Sequence, residues 1–118
     1  MQEFLLIIRT QGDHLATLST EEQQIHVRKF QQYIGKLMTE NKLKGAQPLR
    51  MEGKIISNSN GSFKDGPFNE TKEVIAGYFL ITALDLDEAI KIAKGNPVFD
   101  EPNARIEVRP IKTIEGIN

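Results

Sequence analysis

Two short segments of this chain are apolar at every position, and they constrain its fold more than any other feature. Residues 4–8 form an unbroken run of Phe, Leu and Ile, and residues 78–81 form a second run of aromatic and aliphatic side chains. Runs of this length predict β-strands that are covered on both faces, because successive side chains point to opposite sides of a strand. The fold must therefore bury both faces of the sheet that holds them.

Two helices are predicted between the strands. Ser19 and Glu22 have the spacing of a capping box, in which each residue satisfies the backbone amide of the other, so a helix should run from there to about Asn41. Asp85 and Glu88 repeat the pattern at a second helix, which Gly95 should end. The apolar stripe predicted on the first helix consists of Val27, Phe30, Tyr33, Ile34, Leu37 and Met38.

Further strands are predicted at residues 43–50 and 104–109. The dipeptide Asn60-Gly61 predicts a type I′ hairpin that pairs residues 54–57 with residues 62–64. Residues 10–18 are interpreted as a loop, and Asp65-Gly66-Pro67-Phe68-Asn69 as a structured turn. The order β-α-β-β-α-β predicts one α+β domain over residues 1–118, a ferredoxin-like sandwich with an added hairpin.

Two helices can cover only one face of such a sheet, yet both apolar strands need cover on two. A second copy of the chain is the economical source of that cover, and two sheets packed in this way form a dimeric α+β barrel. The alternative is a sheet face open to solvent, which would expose a contiguous patch of Leu and Ile. The sequence therefore favours a homodimer that forms through the sheet.

Four motifs in the second half of the chain resemble those of a known family. The chain is similar to the YCII-related family of the DGPF-motif type, in the dimeric α+β barrel superfamily. This resemblance implies the same fold and the same dimer. The motifs are Asp-Gly-Pro-Phe with Glu-Thr-Lys-Glu at 65–73, Ala-Gly-Tyr-Phe-Leu-Ile at 76–81, Leu-Asp-Glu-Ala at 86–89 and Ile-Glu-Val-Arg-Pro at 106–110.

The resemblance implies little about activity. Some relatives in the superfamily act on aromatic ring-cleavage or halogenated substrates, and shorter relatives use a proposed His-Asp pair. This chain departs from that pair, because it has Asn96-Pro97-Val98 where those relatives have Asp-Pro-Tyr. Phe30 stands about where their histidine is expected, and His26 lies one turn earlier. The His-Asp chemistry is therefore not transferred to this chain.

Asp65 and His26 are the candidate catalytic residues. A carboxylate in an apolar cleft can have a raised pKa and act as an acid or a base, whereas a turn aspartate commonly caps its own downstream amides. A histidine can transfer protons near neutral pH, whereas one at the edge of a helix face is more often a packing residue. Both alternatives stay open for both residues.

Five residues are predicted to bind a ligand in the barrel cleft. Three of them are aromatic side chains suited to an apolar wall. The other two are charged, and they either orient a polar ligand or form salt bridges across the dimer. The five are Tyr33, Phe68, Lys72, Glu73 and Tyr78.

Composition excludes several classes of chemistry. The chain has no cysteine, so disulfides, thiolate catalysis and cysteine-ligated metals are ruled out. The two histidines are far apart in the sequence, which argues against a metal site. The chain also lacks a glycine-rich phosphate loop, which argues against a nucleotide cofactor. A net charge of −1 gives no reason to expect nucleic acid, and no apolar stretch reaches membrane-spanning length. A cytoplasmic protein without a cofactor is expected.

Two classes of function remain. One is a small-molecule site in the barrel cleft, for an aromatic or lactone-like ligand, with acid-base catalysis by Asp65 or His26. The other is a non-enzymatic module that binds a ligand or a protein, for example in transcriptional regulation. Turnover that depends on pH would favour the first, and binding that raises the melting temperature without turnover would favour the second.

Overall fold

A computed structural model describes residues 1–66 and 73–118 of the chain. Its helices and strands follow the order predicted from the sequence. The strands are β1 (Gln2–Gln11), β2 (Leu43–Pro48), β3 (Ile55–Ser59), β4 (Ser62–Gly66), β5 (Glu73–Ala83) and β6 (Arg105–Pro110); the helices are α1 (Thr20–Thr39) and α2 (Leu86–Lys94), with short 3₁₀ helices at His14–Thr17 and Pro97–Asp100.

Four of the strands form one antiparallel sheet in the order β2-β5-β1-β6. The two apolar segments lie in β1 and β5, which pair with each other at the centre of this sheet. The element order and the antiparallel sheet confirm the α+β, ferredoxin-like fold class. The strands β3 and β4 form a separate two-stranded hairpin.

The helix starts follow the predicted capping. At α1, the Glu22 amide donates to Ser19 Oγ and the Ser19 amide donates to Glu22 Oε1, both at 3.1 Å. At α2, the Glu88 amide donates to the Asp85 carboxylate at 2.9 Å, while the Glu88 side chain accepts from the Leu84 amide at 3.3 Å. In this second capping box, the Glu88 side chain therefore accepts from the amide of Leu84, one residue before the N-cap residue Asp85. Gly95 caps the C-terminus of α2, as predicted.

One face of the sheet carries the hydrophobic core. Phe4, Leu6 and Ile81 on the two central strands are wholly buried beneath the helices. Leu37 of α1 is also buried, and the small side chains of α2 that face the sheet are buried with it. We call this the helix face, and from the two apolar segments it buries Phe4, Leu6, Ile8, Phe79 and Ile81.

The opposite face of the sheet is only partly covered within the chain. The register places Leu5 opposite Leu80 and Ile7 opposite Tyr78, and all four side chains are half-buried. On β6 the same face carries charged residues, including Glu107 opposite Ile7. We call this the open face. It combines an apolar centre on β1 and β5 with a charged margin on β6, as the alternation in residues 104–109 predicted.

Three expectations about connecting segments were wrong. Residues 10–18 are not one loop, because β1 continues to Gln11 and a 3₁₀ helix follows. The hairpin is longer than predicted, although positive φ at Asn60 and Gly61 agrees with the predicted turn. Asp65 and Gly66 belong to strand β4 and pair with Ile56 and Ile55, so the predicted turn does not begin at Asp65, and its residues 67–69 lie outside the described residues.

The apolar stripe of α1 is buried unevenly along the helix. Leu37, in the C-terminal half, is 4% exposed, and Phe30, Tyr33 and Ile34 are half-buried. Val27 is 51% exposed and Met38 is 61% exposed, which corrects the prediction that both belong to the buried stripe. The N-terminal half of α1 therefore covers the sheet less tightly than its C-terminal half does.

Candidate functional site

A cavity of about 820 Å³ lies between the N-terminal half of α1 and the helix face of the sheet. Its floor is formed by side chains of β1, β2 and β5, and its roof by α1. The connection from β2 to β3 and the segment around the second 3₁₀ helix close its sides. The cavity occupies the space that the loosely packed half of α1 leaves above the sheet.

An aromatic cluster connects the cavity to the core. The His26 ring meets the Phe30 ring edge to face, with 4.8 Å between their centroids. Phe30 in turn stacks on Phe79 of β5 at 6.4 Å. These three side chains line the cavity.

Glu101 is the most buried carboxylate at the cavity, with 8% of its surface exposed. It directly follows the 3₁₀ helix Pro97–Asp100, and its amide donates to the Val98 carbonyl at 2.9 Å. The ion pair between Lys29 of α1 and Asp100, at 2.8 Å, fastens this segment to the helix. The local structure thus holds a carboxylate at the wall of an apolar cavity.

Asn96 anchors the other end of the same 3₁₀ helix. Its Oδ1 accepts from the Val98 amide at 2.9 Å, and the side chain is buried. Its Nδ2 makes no hydrogen bond of standard geometry within the described residues, although the amide is near enough to Tyr33 to oppose a rise in the pKa of that phenol. Asn96 therefore holds the local backbone and is not among the residues that line the cavity.

Two glycines shape the floor and the rim. A Cβ on Gly77 of β5 would lie 2.7 Å from the Gln47 carbonyl oxygen, so β2 and β5 can approach this closely only at a glycine. Gly12 follows β1 with a φ of +70°, a conformation that glycine adopts without strain. Its carbonyl accepts from the Thr10 hydroxyl at 2.9 Å, which fixes the turn beside the cavity.

The structure places the predicted site residues in three different regions. His26 lines the cavity, and Tyr33 lies beside it, where its ring contacts Phe79 edge to face at 5.5 Å. Tyr33 Oη donates to the Ile92 carbonyl at 2.7 Å and links α1 to α2. Burial raises the pKa of Tyr33 to about 12, and the nearby Asn96 side chain opposes that rise. The side chain of Tyr33 therefore takes part in the packing of α1 against α2.

Tyr78 and Glu73 are on β5, away from the cavity. Tyr78 belongs to the open face, on the opposite side of the sheet from Tyr33, and its predicted ligand contact stays a prediction. Glu73 pairs with Arg105 of β6, and its carboxylate also lies 3.9 Å from Arg9 Nε. The hydrogen bond from Arg105 lowers the pKa of Glu73 from its usual value. These ion pairs lie within one chain.

Asp65 is exposed on the hairpin, opposite Ile56, and it is not part of the cavity wall. Its two predicted roles, an acid or base in a cleft and a cap of its own turn, therefore stay predictions. Phe68 and Lys72 lie outside the described residues, so their predicted ligand contacts stay predictions. Of the five predicted site residues that the structure describes, His26 is the one that it places on the cavity wall.

Sequence reasoning missed Glu101, Arg50 and Thr10, which all line the cavity. Glu101 lies in the sequence Asp-Glu-Pro-Asn, which has the composition of a solvated turn and carries no signal of burial. Gly77 had a usable signal, because a glycine inside a strand often marks a close backbone approach. Among the described residues, no group of three or more His, Asp or Glu side chains is arranged to hold a metal ion.

The fold and the motifs agree with a comparison against known families. The model of the YCII-related domain matches residues 3–115. The chain belongs to the YCII-related family. This result confirms the family that the four motifs indicated, and it covers nearly the whole chain.

One relative is an uncharacterized protein from Rhizobium meliloti (strain 1021). It is 43% identical over 47 residues, which are 40% of this chain and 38% of the relative. The match thus spans well under half of the relative's length. Membership in the YCII-related family together with this relative leaves the biochemical function open. Within the described part of the chain, no helix has both the length and the apolar character needed to cross a membrane.

Proposed function

We propose that this YCII-related protein binds a small, largely apolar molecule in the cavity between α1 and the sheet. The observation that supports this proposal is the cavity itself, at about 820 Å³. Sites for small ligands are typically of this size, with apolar walls and a few polar groups that orient the ligand. Here the apolar walls include Ile8, Phe30 and Phe79, and the polar groups include His26 and Glu101.

The cavity is a better candidate than the region around Asp65. The hairpin that carries Asp65 is exposed along all its described side chains. A ligand there would stay in contact with water and would gain little from burial of apolar surface. In the cavity, the same ligand would exchange water for aromatic and aliphatic contacts on several sides.

The experiment is a titration with N-phenyl-1-naphthylamine, an uncharged aromatic dye that fluoresces in apolar sites. The wild-type chain should bind the dye in a saturable manner. The variant Ala46→Phe adds a ring to a side chain of the cavity floor and should weaken binding by tenfold or more. The control Lys36→Phe adds the same ring to an exposed position of α1 outside the cavity wall and should leave the affinity unchanged.

Equal affinities of the wild type and Ala46→Phe, with both variants folded by circular dichroism, would place the dye elsewhere and contradict the proposal. Saturable binding that is lost only in Ala46→Phe supports it.

We also propose that a second copy of the chain covers the open face, so that the protein is a homodimer formed through its sheet. The half-buried side chains of Leu5, Ile7 and Leu80 support this proposal, because they form an apolar centre beside charged residues of β6. An apolar centre with a polar margin is the usual composition of a protein interface. The cavity lies on the other face of the sheet, so both surfaces can be occupied at once.

A further inference from the structure

The hairpin of β3 and β4 has two chemically different faces. Residues directly opposite each other in an antiparallel pair point to the same side, and side chains alternate along each strand. The register pairs Ile56 with Asp65 and Asn58 with Phe63, so these four side chains share one face, which we call the Phe63 face. The other face carries one isoleucine among serine and lysine side chains: Ile55, Ser57, Ser59, Ser62 and Lys64.

The described part of the chain leaves the Phe63 face without cover. Phe63 is 76% exposed and Ile56 is 66% exposed, and no helix or strand packs extensively on the hairpin. A two-stranded hairpin without such packing is at best marginally stable in water. Burial of its two large apolar side chains would stabilise it. The hairpin therefore needs a surface to pack on.

The chain is also more open than a compact domain of its length. Its radius of gyration is 16.4 Å, whereas about 13.5 Å is usual for 118 residues. Its accessible surface is 8665 Å², about 2,200 Å² more than a folded monomer of 13.3 kDa usually exposes. Obligate homodimers bury about 1,000–2,500 Å² of each chain. The excess surface therefore has the size of a homodimer interface.

A second copy of the chain is the simplest occupant of this surface. The open face also lacks full cover, because Leu5, Ile7 and Leu80 are half-buried. In a two-fold dimer, each chain offers the same patches to the other. The hairpin of one chain can therefore cover the open face of its partner and receive the same cover in return. A different protein would have to match both surfaces separately.

The hairpin is attached where it can reach a stacked sheet. It is inserted between β2 and β5, which are neighbours in the main sheet, and it leaves that sheet where Pro48 pairs with Gly77. Each of its strands has five residues, which span about 17 Å, whereas packed sheets lie about 10 Å apart. The hairpin is therefore long enough to cross from one sheet to the next.

We infer that this hairpin is a dimerisation arm, whose Phe63 face packs on the open face of a second copy. Ile56 and Phe63 supply the apolar contacts, and the apolar centre around Leu5 and Leu80 of the other copy receives them. This inference rests on the proposed homodimer, since it adds the hairpin to that interface.

Two neighbouring isoleucines provide a matched test. Ile56→Ser removes an apolar side chain from the Phe63 face, and Ile55→Ser makes the same change on the other face. Sedimentation of the full chain over a range of concentrations gives the dissociation constant of the dimer. Ile56→Ser and Phe63→Ser should each raise it about tenfold or more, whereas Ile55→Ser should raise it less than about twofold. Circular dichroism should show all three variants folded, because the substituted side chains are exposed.

A dimer too tight for sedimentation is compared through its rate of subunit exchange. Isotope-labelled and unlabelled chains are mixed, and native mass spectrometry follows the mixed dimer. Ile56→Ser and Phe63→Ser should exchange about tenfold faster than the wild type, because losses of affinity within one interface are mostly increases in the dissociation rate.

Photocrosslinking locates the surface that the arm contacts. The photoreactive residue p-benzoylphenylalanine replaces Asn58 on the Phe63 face or, as the control, Ser57 on the other face. Irradiation of the Asn58 variant should give a product of two chains, joined at the open-face residues of β1, β5 or β6. The Ser57 variant should give little of that product.

The outcomes separate the arm from the homodimer. A wild-type mass of one chain at micromolar concentration would overturn both. A dimer that Ile56→Ser and Phe63→Ser leave as tight as the wild type overturns the arm and leaves the homodimer standing. Equal weakening by Ile55→Ser and Ile56→Ser also contradicts the arm, because the loss would then not depend on the face. Crosslinks from position 58 that stay within one chain, or that reach the helices of the other copy, contradict it as well.

Discussion

The two faces of the central sheet are built from the same two strands, yet they differ in how the chain uses them. On the helix face, Leu6 and Ile81 are wholly buried. On the open face, their neighbours Leu5 and Leu80 are only half-buried. Both strands carry apolar side chains on both of their faces. The sequence of the strands therefore does not cause this contrast in burial. The helices cause it, because they cover one side alone.

The contrast explains why the two faces suit different tasks. The helix face is closed by packing at the C-terminal end of α1 and leaves a partly open cavity near the N-terminal end of that helix. The open face is broad and carries the ion pairs between Arg9 and Glu107, at 3.1 Å, and between Arg105 and Glu73. A concave cavity suits a small ligand, whereas a broad face with mixed polarity suits a protein partner.

The largest expected effect comes from introducing the same charge on the two faces. Leu6→Glu places a carboxylate without a partner in the core, and it should lower the free energy of unfolding by about 4 kcal/mol or more. Leu80→Glu makes the same change on the open face, so it should cost less in folding and should instead shift a dimer toward the mass of one chain. Urea denaturation and light scattering measure the two effects.

Equal losses of stability in the two variants, with no change in mass for Leu80→Glu, would remove the distinction between the faces. An unchanged mass near that of one chain for the wild type at micromolar concentration would contradict the homodimer.

A smaller effect is expected where β2 and β5 meet beneath the cavity. Gly77→Ala places a methyl group 2.7 Å from the Gln47 carbonyl oxygen, so the strands must move apart, and the free energy of unfolding should fall by about 1–3 kcal/mol. Gly35→Ala is the matched control, because its Cβ meets no atom within 4 Å and alanine favours a helix. It should leave stability unchanged or raise it by up to about 1 kcal/mol. Thermal and urea denaturation compare the two, and a Gly77→Ala variant as stable as Gly35→Ala would show that the strands are not closely packed.

The smallest effect concerns the two tyrosines, one on each face. The pKa of Tyr33 is raised to about 12 by burial. The unfolded chain ionises this phenol near pH 10, so its contribution to stability is fully present below pH 10 and is lost as the pH rises toward 12. The ultraviolet absorbance of tyrosinate should show a component that titrates near pH 12. Tyr33→Phe should remove that component and Tyr78→Phe should keep it, whereas its loss in Tyr78→Phe would reverse the assignment.

Much of the fold was predictable from local pattern. The capping residues Ser19 and Asp85 mark the helix starts, because a side-chain oxygen must satisfy amides that have no partner inside the helix. Asn60-Gly61 marks the hairpin turn, because both residues adopt positive φ there. The four motifs indicated the YCII-related family, which the family comparison confirmed.

The candidate site was much less predictable. His26 was identified because a histidine beside an apolar stripe is a candidate for proton transfer, whatever its surroundings. Tyr33 and Tyr78 were assigned to one cleft although the sheet separates them, since residue type alone does not reveal on which face a side chain lies. Asp65 attracted attention through its motif, yet it is exposed on the hairpin.

The sequence by itself determined where the helices and strands form, because capping, turn residues and hydrophobic period act over a few neighbouring residues. Only the tertiary structure decided that the N-terminal half of α1 leaves space above the sheet and that Glu101 reaches this space. Glu101 and His26 are far apart in the chain and come to one cavity through the packing of α1 and the segment that follows α2. Such a meeting depends on distances between packed elements, and no local pattern in the sequence encodes them.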